Sequence, residues 1–101
     1  MYEIVKSDTF GRWLKRLKDR PAKYKILVRL KKIEEGHLGS YRRIDRMISE
    51  LKFDFGPGYR IYFSIKDNTI VILLCAGDKG SQKRDIMKAN KIIGEWEAKN
   101  E

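Results

Sequence analysis

The feature that most constrains the fold of this 101-residue chain is residues 50–63, ELKFDFGPGYRIYF. Leu51, Phe53 and Phe55 alternate with Glu50, Lys52 and Asp54. Beyond Gly56-Pro57-Gly58, Tyr59, Ile61, Phe63 and Ile65 alternate with Arg60, Tyr62 and Ser64. Alternation on both sides of a turn signal describes a β-hairpin with one apolar and one polar face. The phase of the alternation predicts the register. A two-residue loop at Pro57-Gly58 would set Lys52 opposite Phe63 and mix charged with core residues, because a one-residue slip turns every side chain over. A three-residue loop, Gly56-Pro57-Gly58, pairs Phe55 with Tyr59, Phe53 with Ile61, Leu51 with Phe63, Asp54 with Arg60 and Lys52 with Tyr62. Pro57 fixes φ, and Gly58 suits the left-handed position of a bulged hairpin. This register places Lys52, Arg60 and Tyr62 side by side on an open polar face.

The remaining segments follow from periodicity. Residues 2–5 read as a short strand, and Ser7 or Asp8 caps a helix whose apolar stripe is Phe10, Trp13, Leu14 and Leu17. Pro21 suits the first turn of a second helix, Ala22, Ile26, Leu30 and Ile33 form its apolar face, and Gly36 stops it. The short break at Asp19-Arg20 predicts an antiparallel helical hairpin. Residues 36–46 read as a loop that enters the strand near Ile44. Residues 70–76, IVILLCA, are apolar at every position, as in a central strand covered on both faces. A last helix, capped by Ser81, carries Ile86, Ala89, Ile93 and Trp96 on its apolar face and Gln82, Lys83, Arg84 and Asp85 in its first turns. The order is β-α-α-β-β-β-α. The expectation is one α+β domain over residues 1–101, with the helices on one face of a mostly antiparallel sheet.

Charge narrows the partner. Lys and Arg number 23 against 14 Asp and Glu, a net charge of +9. Residues 1–48 hold 14 Lys and Arg against 6 Asp and Glu, so the basic excess sits on the predicted helices. An anionic partner, most simply nucleic acid, fits this balance; the alternative is a basic protein with a solvated surface. Tyr41-Arg42-Arg43 and Lys32 are candidate RNA contacts, since aromatic and basic side chains together suit single strands. A single cysteine, Cys75, excludes an internal disulfide, and one Cys with one His makes neither an ordinary zinc site nor a Cys-His hydrolase pair. No segment has the length of a membrane span and no signal peptide is visible, so a cytoplasmic location is expected.

Three blocks, E-L-K at residues 50–52, G-P-G-Y-R-I-Y-F at 56–63 and G-D-K-G-S-Q-K-R-D-I at 77–86, resemble the addiction-module killer proteins of the RelE/HigB/ParE superfamily of bacterial toxins. The resemblance covers the whole element order and is most specific over residues 50–93. It implies a RelE-like fold and a type II toxin neutralised by a cognate antitoxin. RelE- and HigB-like members cleave mRNA, usually in the ribosomal 30S A site, without a cofactor or metal; ParE-like members instead poison DNA gyrase. By position, Arg60 matches the arginine after the hairpin turn, Lys52 a basic residue on the preceding strand, and Lys79 the basic position after the last strand. Where some relatives carry a tyrosine acid/base in the last helix this chain has Asp85, and Tyr62 is the substitute. Gln82, Lys83 and Arg84 then join Arg42, Arg43 and Lys32 as RNA-binding candidates.

The chemistry can also be argued without the resemblance. RNA cleavage by its own 2′-hydroxyl needs a base for that hydroxyl, positive charge on the phosphorane oxygens and a proton for the leaving 5′-oxygen. Arg60 suits a bidentate phosphate contact. A lysine crowded by cations is a usable base. Lys79 lies beside a helix N-terminus, where phosphate is favoured. The alternative is that Lys52 and Arg60 pair with Glu50 and Asp54 across strands, and that Lys79 is a solvated loop residue.

Overall fold

The computed structural model describes residues 1–100. The elements are β1 (Glu3–Lys6), α1 (Asp8–Arg16), α2 (Arg20–Glu34), β2 (Arg42–Arg43), β3 (Ser49–Lys52), β4 (Arg60–Lys66), β5 (Ile70–Gly77), a 3-10 turn (Lys79–Ser81) and α3 (Gln82–Lys99). They form an α+β domain around one five-stranded sheet of order β1-β5-β4-β3-β2, parallel at β1-β5 and antiparallel elsewhere. The two-residue strand β2, at the far edge, is an addition to the expected order.

Local chemistry sets the helix ends. The Ser7 hydroxyl accepts from the Phe10 amide at 3.0 Å and donates to the Leu74 carbonyl at 2.6 Å, so one side chain caps α1 and pins it to β5. Asp19 caps α2 by accepting from Ala22 N at 3.1 Å. The α2 C-terminus closes when His37 N donates to Lys32 O and Gly36 N to Ile33 O, a pattern needing the positive φ of Gly36. Before α3 the cap differs from expectation. Asp78, not Ser81, accepts the orphan amides, from Gly80 N at 2.8 Å and Ser81 N at 3.1 Å. The Ser81 hydroxyl instead donates to the Asp85 carboxylate.

The apolar phase of the hairpin is as expected, but its loop is longer. Leu51 pairs with Ile61, Lys52 with Arg60 and Glu50 with Tyr62. Phe53 N donates to Tyr59 O at 2.9 Å, leaving residues 54–58 as a five-residue loop. A two-residue slip leaves every side chain on its face and changes only its partner, so alternation alone could not tell this register from the three-residue one. The loop is held by its aromatics. Phe55 stacks near Phe53 and Tyr59, Lys25 sits 4.5 Å over the Phe55 ring, and Trp13 meets Tyr59 edge-on.

The helices do not share one face. Phe10 and Leu14 of α1 and Ile26, Leu30 and Ile33 of α2 pack on Leu51, Phe53, Ile61, Phe63, Val71 and Leu73. On the opposite face Ala89 and Ile93 of α3 pack on Ile48, Tyr62, Ile72, Leu74 and Cys75. The polar face of the hairpin is therefore not open over Tyr62. A register shift between Tyr62/Phe63 and β5 turns Leu74 and Cys75 to the α3 side together, which is why β5 needs apolar residues throughout.

Candidate functional site

Strand pairing carries Glu50, Lys52, Arg60 and Tyr62 to the α3 side of the sheet, Lys52 opposite Arg60 and Glu50 opposite Tyr62. Glu50 is the hub, 2% exposed. Its Oε1 accepts from Arg60 Nη1 at 2.8 Å, and its Oε2 accepts from Gln82 Nε2 at 3.1 Å with Arg42 Nη2 3.7 Å away. Two charges this deeply buried persist only when paired and hydrogen-bonded, and here both carboxylate oxygens are engaged. Arg60, 7% exposed, is held by that pair. Its Nε and the Tyr62 hydroxyl are buried with no hydrogen-bond partner among the described residues.

Above this hub opens a cleft of about 530 Å³ lined by Arg42, Glu50, Lys52, Arg60 and Gln82, with Arg29, Ser40, Tyr41 and Asp54 at its rim. Arg29 belongs to the loop as much as to the cleft: its Nη2 donates to Leu38 O at 3.2 Å and Ser40 O at 2.7 Å, which fixes the approach to β2. Lys52 is exposed and leans toward Asp54, 3.6 Å away. Four cationic and two carboxylate side chains leave the cleft net positive.

The predicted site residues divide into three groups. Arg42, Lys52, Arg60 and Gln82 meet at the cleft. Tyr62 and Asp85 lie buried between the sheet and α3 and do not line the cleft. Burial pushes the Tyr62 hydroxyl well above the usual phenol range, and the charges of Glu50 and Asp85 push it further. Burial, then Asp85, pushes the Cys75 thiol up to about 12; its Sγ donates to the Asp85 carbonyl at 3.2 Å. The third group lies outside the cleft. Lys79 is exposed against Gly58 of the hairpin loop, and Lys83, Arg84 and Lys32 are exposed on their helices. Arg43 turns into its own loop, donating to Asp45 O at 3.2 Å and Arg46 O at 3.1 Å.

Sequence reasoning treated Glu50 only as a possible cross-strand partner. Its signal was present: a glutamate in the first β3 positions, on the same face as an arginine and a tyrosine of the next strand. Chemically the cleft can hold an anion between Arg42 and Lys52, with Glu50 and Tyr41 as groups able to exchange protons. Among the described residues no group of three or more His, Cys, Asp or Glu side chains is placed to hold a metal ion, and no helix is long and apolar enough to cross a membrane.

No protein-family model matches the chain. No solved structure matches it either. Over 93 residues, 92% of this chain and 94% of the relative, it is 41% identical to an uncharacterized protein of Haemophilus influenzae. This chain belongs to the same family as that Haemophilus influenzae protein.

Proposed function

We propose that this protein is a type II toxin of the RelE/HigB/ParE kind, a metal-independent endoribonuclease that cuts mRNA on the ribosome in the cytoplasm and is held inactive by a cognate antitoxin. The observation that carries this is the cleft where Arg42, Lys52, Arg60 and Gln82 surround a buried carboxylate beneath a cationic opening of about 530 Å³. Lys52 and Arg42, the two exposed cations, hold the scissile phosphate and offset charge on its oxygens. Glu50 lines the cleft and accepts the 2′-hydroxyl proton as that oxygen attacks the phosphorus; the P–O5′ bond breaks, and the Tyr41 hydroxyl, which also lines the cleft, donates the proton to the leaving 5′-oxygen. Arg60 acts through Glu50, fixing its orientation, and Gln82 does the same from α3. Tyr62 and Asp85 lose the proton-transfer roles that the sequence suggested.

One observation favours a second reading. Arg60 is committed to Glu50 and Tyr62 is covered, as suits a ParE-like gyrase poison whose scaffold binds a protein without nuclease chemistry. Single-turnover cleavage of mRNA on purified ribosomes separates the two. Lys52→Ala is expected to lower the saturated rate by about 10²-fold or more, comparable to losing one preorganised donor. Wild-type rate in Lys52→Ala overturns the assigned role. Absence of any mRNA cut, with DNA breaks after induction, replaces the nuclease by the gyrase poison.

A further inference from the structure

An opening larger than the cleft lies elsewhere. It is a groove of about 670 Å³ between α1 and α3, beyond the end of β1, with Ala76 of β5 at its floor. Arg12, Arg16 and Lys18 stand on one wall and Lys88 and Lys91 on the other. All five are exposed, and among the described residues none forms an ion pair or a side-chain hydrogen bond. The groove has one carboxylate, Glu95, which pairs with none of them. Trp13, Leu17 and Ile92 give the groove a partly buried apolar lining.

Five like charges facing one another across a concave apolar strip repel, so the arrangement is least unfavourable when an anion lies between them. We propose that this groove is a second RNA site, separate from the candidate cleavage cleft, which holds a single-stranded segment with its phosphates against the two cationic walls and a base against Trp13. A single strand fits better than the alternatives. A duplex presents its phosphates on a convex cylinder, whereas a concave groove with an aromatic side suits unstacked bases. A shallow depression lined by Lys6, Arg12 and Lys15, with Asp8 as its one carboxylate, stays net positive and continues the basic surface along α1, so the track is longer than the groove. A short acidic peptide would not use that continuation. The assignment holds whether or not the chain cuts RNA.

The test uses the full chain with Trp96→Phe, which leaves Trp13 as the sole indole, because the sequence holds two tryptophans. The probe is a 2′-O-methyl oligouridine of about 12 nucleotides, within the usual span of single-strand sites and resistant to cleavage through the 2′-position. It is expected to quench Trp13, and to bind on the order of tenfold more weakly to Arg12→Gln/Arg16→Gln/Lys91→Gln, with the salt slope lowered by roughly 2. A control that removes equal charge elsewhere, Arg20→Gln/Lys31→Gln/Lys99→Gln, should change the affinity far less. Equal weakening in the two triple variants, or no Trp13 quenching, overturns the proposal. So does tighter binding of polyglutamate or of an RNA duplex than of the single strand. Loss of cleavage with this RNA affinity intact would sink the nuclease reading alone.

Discussion

On the face covered by α1 and α2, Phe10, Ile26, Leu30 and Ile33 meet Leu51, Ile61, Phe63 and Leu73, and no charged side chain is buried there among the described residues. On the face covered by α3, Ile48, Ile72, Leu74, Ala89 and Ile93 share the space with Tyr62 and Cys75, and Glu50, Arg60 and Asp85 are buried beside them. Apolar packing alone closes the first face. The second costs desolvation of ions and leaves two polar atoms unpaired, so it contributes less per buried residue. The reason for the difference is geometric. α3 lies over β4 and β5 and begins at Gln82, so the polar ends of β3 and β4 emerge from under its N-terminus as the cleft. The dry face secures the sheet, and the wet face holds a carboxylate and a guanidinium in fixed positions at a solvent opening.

The sharpest test of that contrast is Arg60→Ala. Read from sequence as an exposed cation, it would alter stability by only about 0.5 kcal/mol. Buried against Glu50, it is expected to cost about 3–5 kcal/mol, because the glutamate's Oε1 loses its buried cationic partner and only Gln82 and the exposed Arg42 remain, at Oε2. Adding Glu50→Gln should recover part of that loss. Ile26→Ala on the dry face is expected to cost a similar 2–5 kcal/mol, roughly, with no partner substitution able to restore it. Urea unfolding measures all three. If Glu50→Gln recovers nothing in the Arg60→Ala background, the two faces are not held differently and the ionic hub is incidental.

The same contrast explains what the sequence made legible. The stripes Phe10-Leu14 and Ala22-Ile26-Leu30-Ile33, and the alternation Leu51-Phe53 with Ile61-Phe63, face one another across a single apolar layer, so periodicity located them. The unbroken run in β5 likewise announced a strand covered on both sides. Periodicity says nothing of which polar residues a distant helix will cover. α3 is joined to β5 by a short turn, and only its path decides that Tyr62 and Asp85 are sealed while Lys52 is not. The hairpin loop escaped for a different reason: a two-residue slip preserves the faces, and the choice rests on aromatic packing of Phe55 and Tyr59 against Trp13 and Lys25. The cleft was half legible, with Lys52, Arg60, Gln82 and Arg42 named and their shared partner Glu50 missed as a hub.

Alkaline pH is expected to loosen the wet face. Burial raises the thiol of Cys75 from its ordinary range to about 12, and raises the Tyr62 hydroxyl as well. In the unfolded chain both groups ionise near their ordinary values, while in the folded chain they stay neutral. Their contribution is therefore complete below about pH 9 and is lost as pH rises through the folded values, at up to about 1.4 kcal/mol per pH unit for each group. Cys75→Ala should flatten the stability profile between roughly pH 9 and 11. Tyr59, half-buried on the other face and raised by burial and Asp19, should matter less. Urea midpoints across this range decide it; a Tyr59→Phe profile flatter than that of Cys75→Ala would reverse the ranking of the two faces.

The smallest effect is the most discriminating. Tyr62→Phe removes a hydroxyl that is fully buried and has no partner. A hydroxyl that makes a hydrogen bond contributes about 1 kcal/mol, so its removal ordinarily destabilises by that amount. Here the folded state bears the desolvation of the group without the bond, so removal is expected to leave stability unchanged or raise it by up to about 1 kcal/mol at neutral pH. The ring, which fills the layer between Ile48, Ile72 and α3, is retained, so no cavity opens. A loss of about 1 kcal/mol would mean that the hydroxyl is hydrogen-bonded after all. Cleavage gives the second reading of the same variant. If Tyr62 were the proton donor that the sequence suggested, single-turnover rates would fall by about 10²–10⁴. Sealed beneath α3, it is expected to leave the rate within about twofold of wild type, while Lys52→Ala at the opening above it does not.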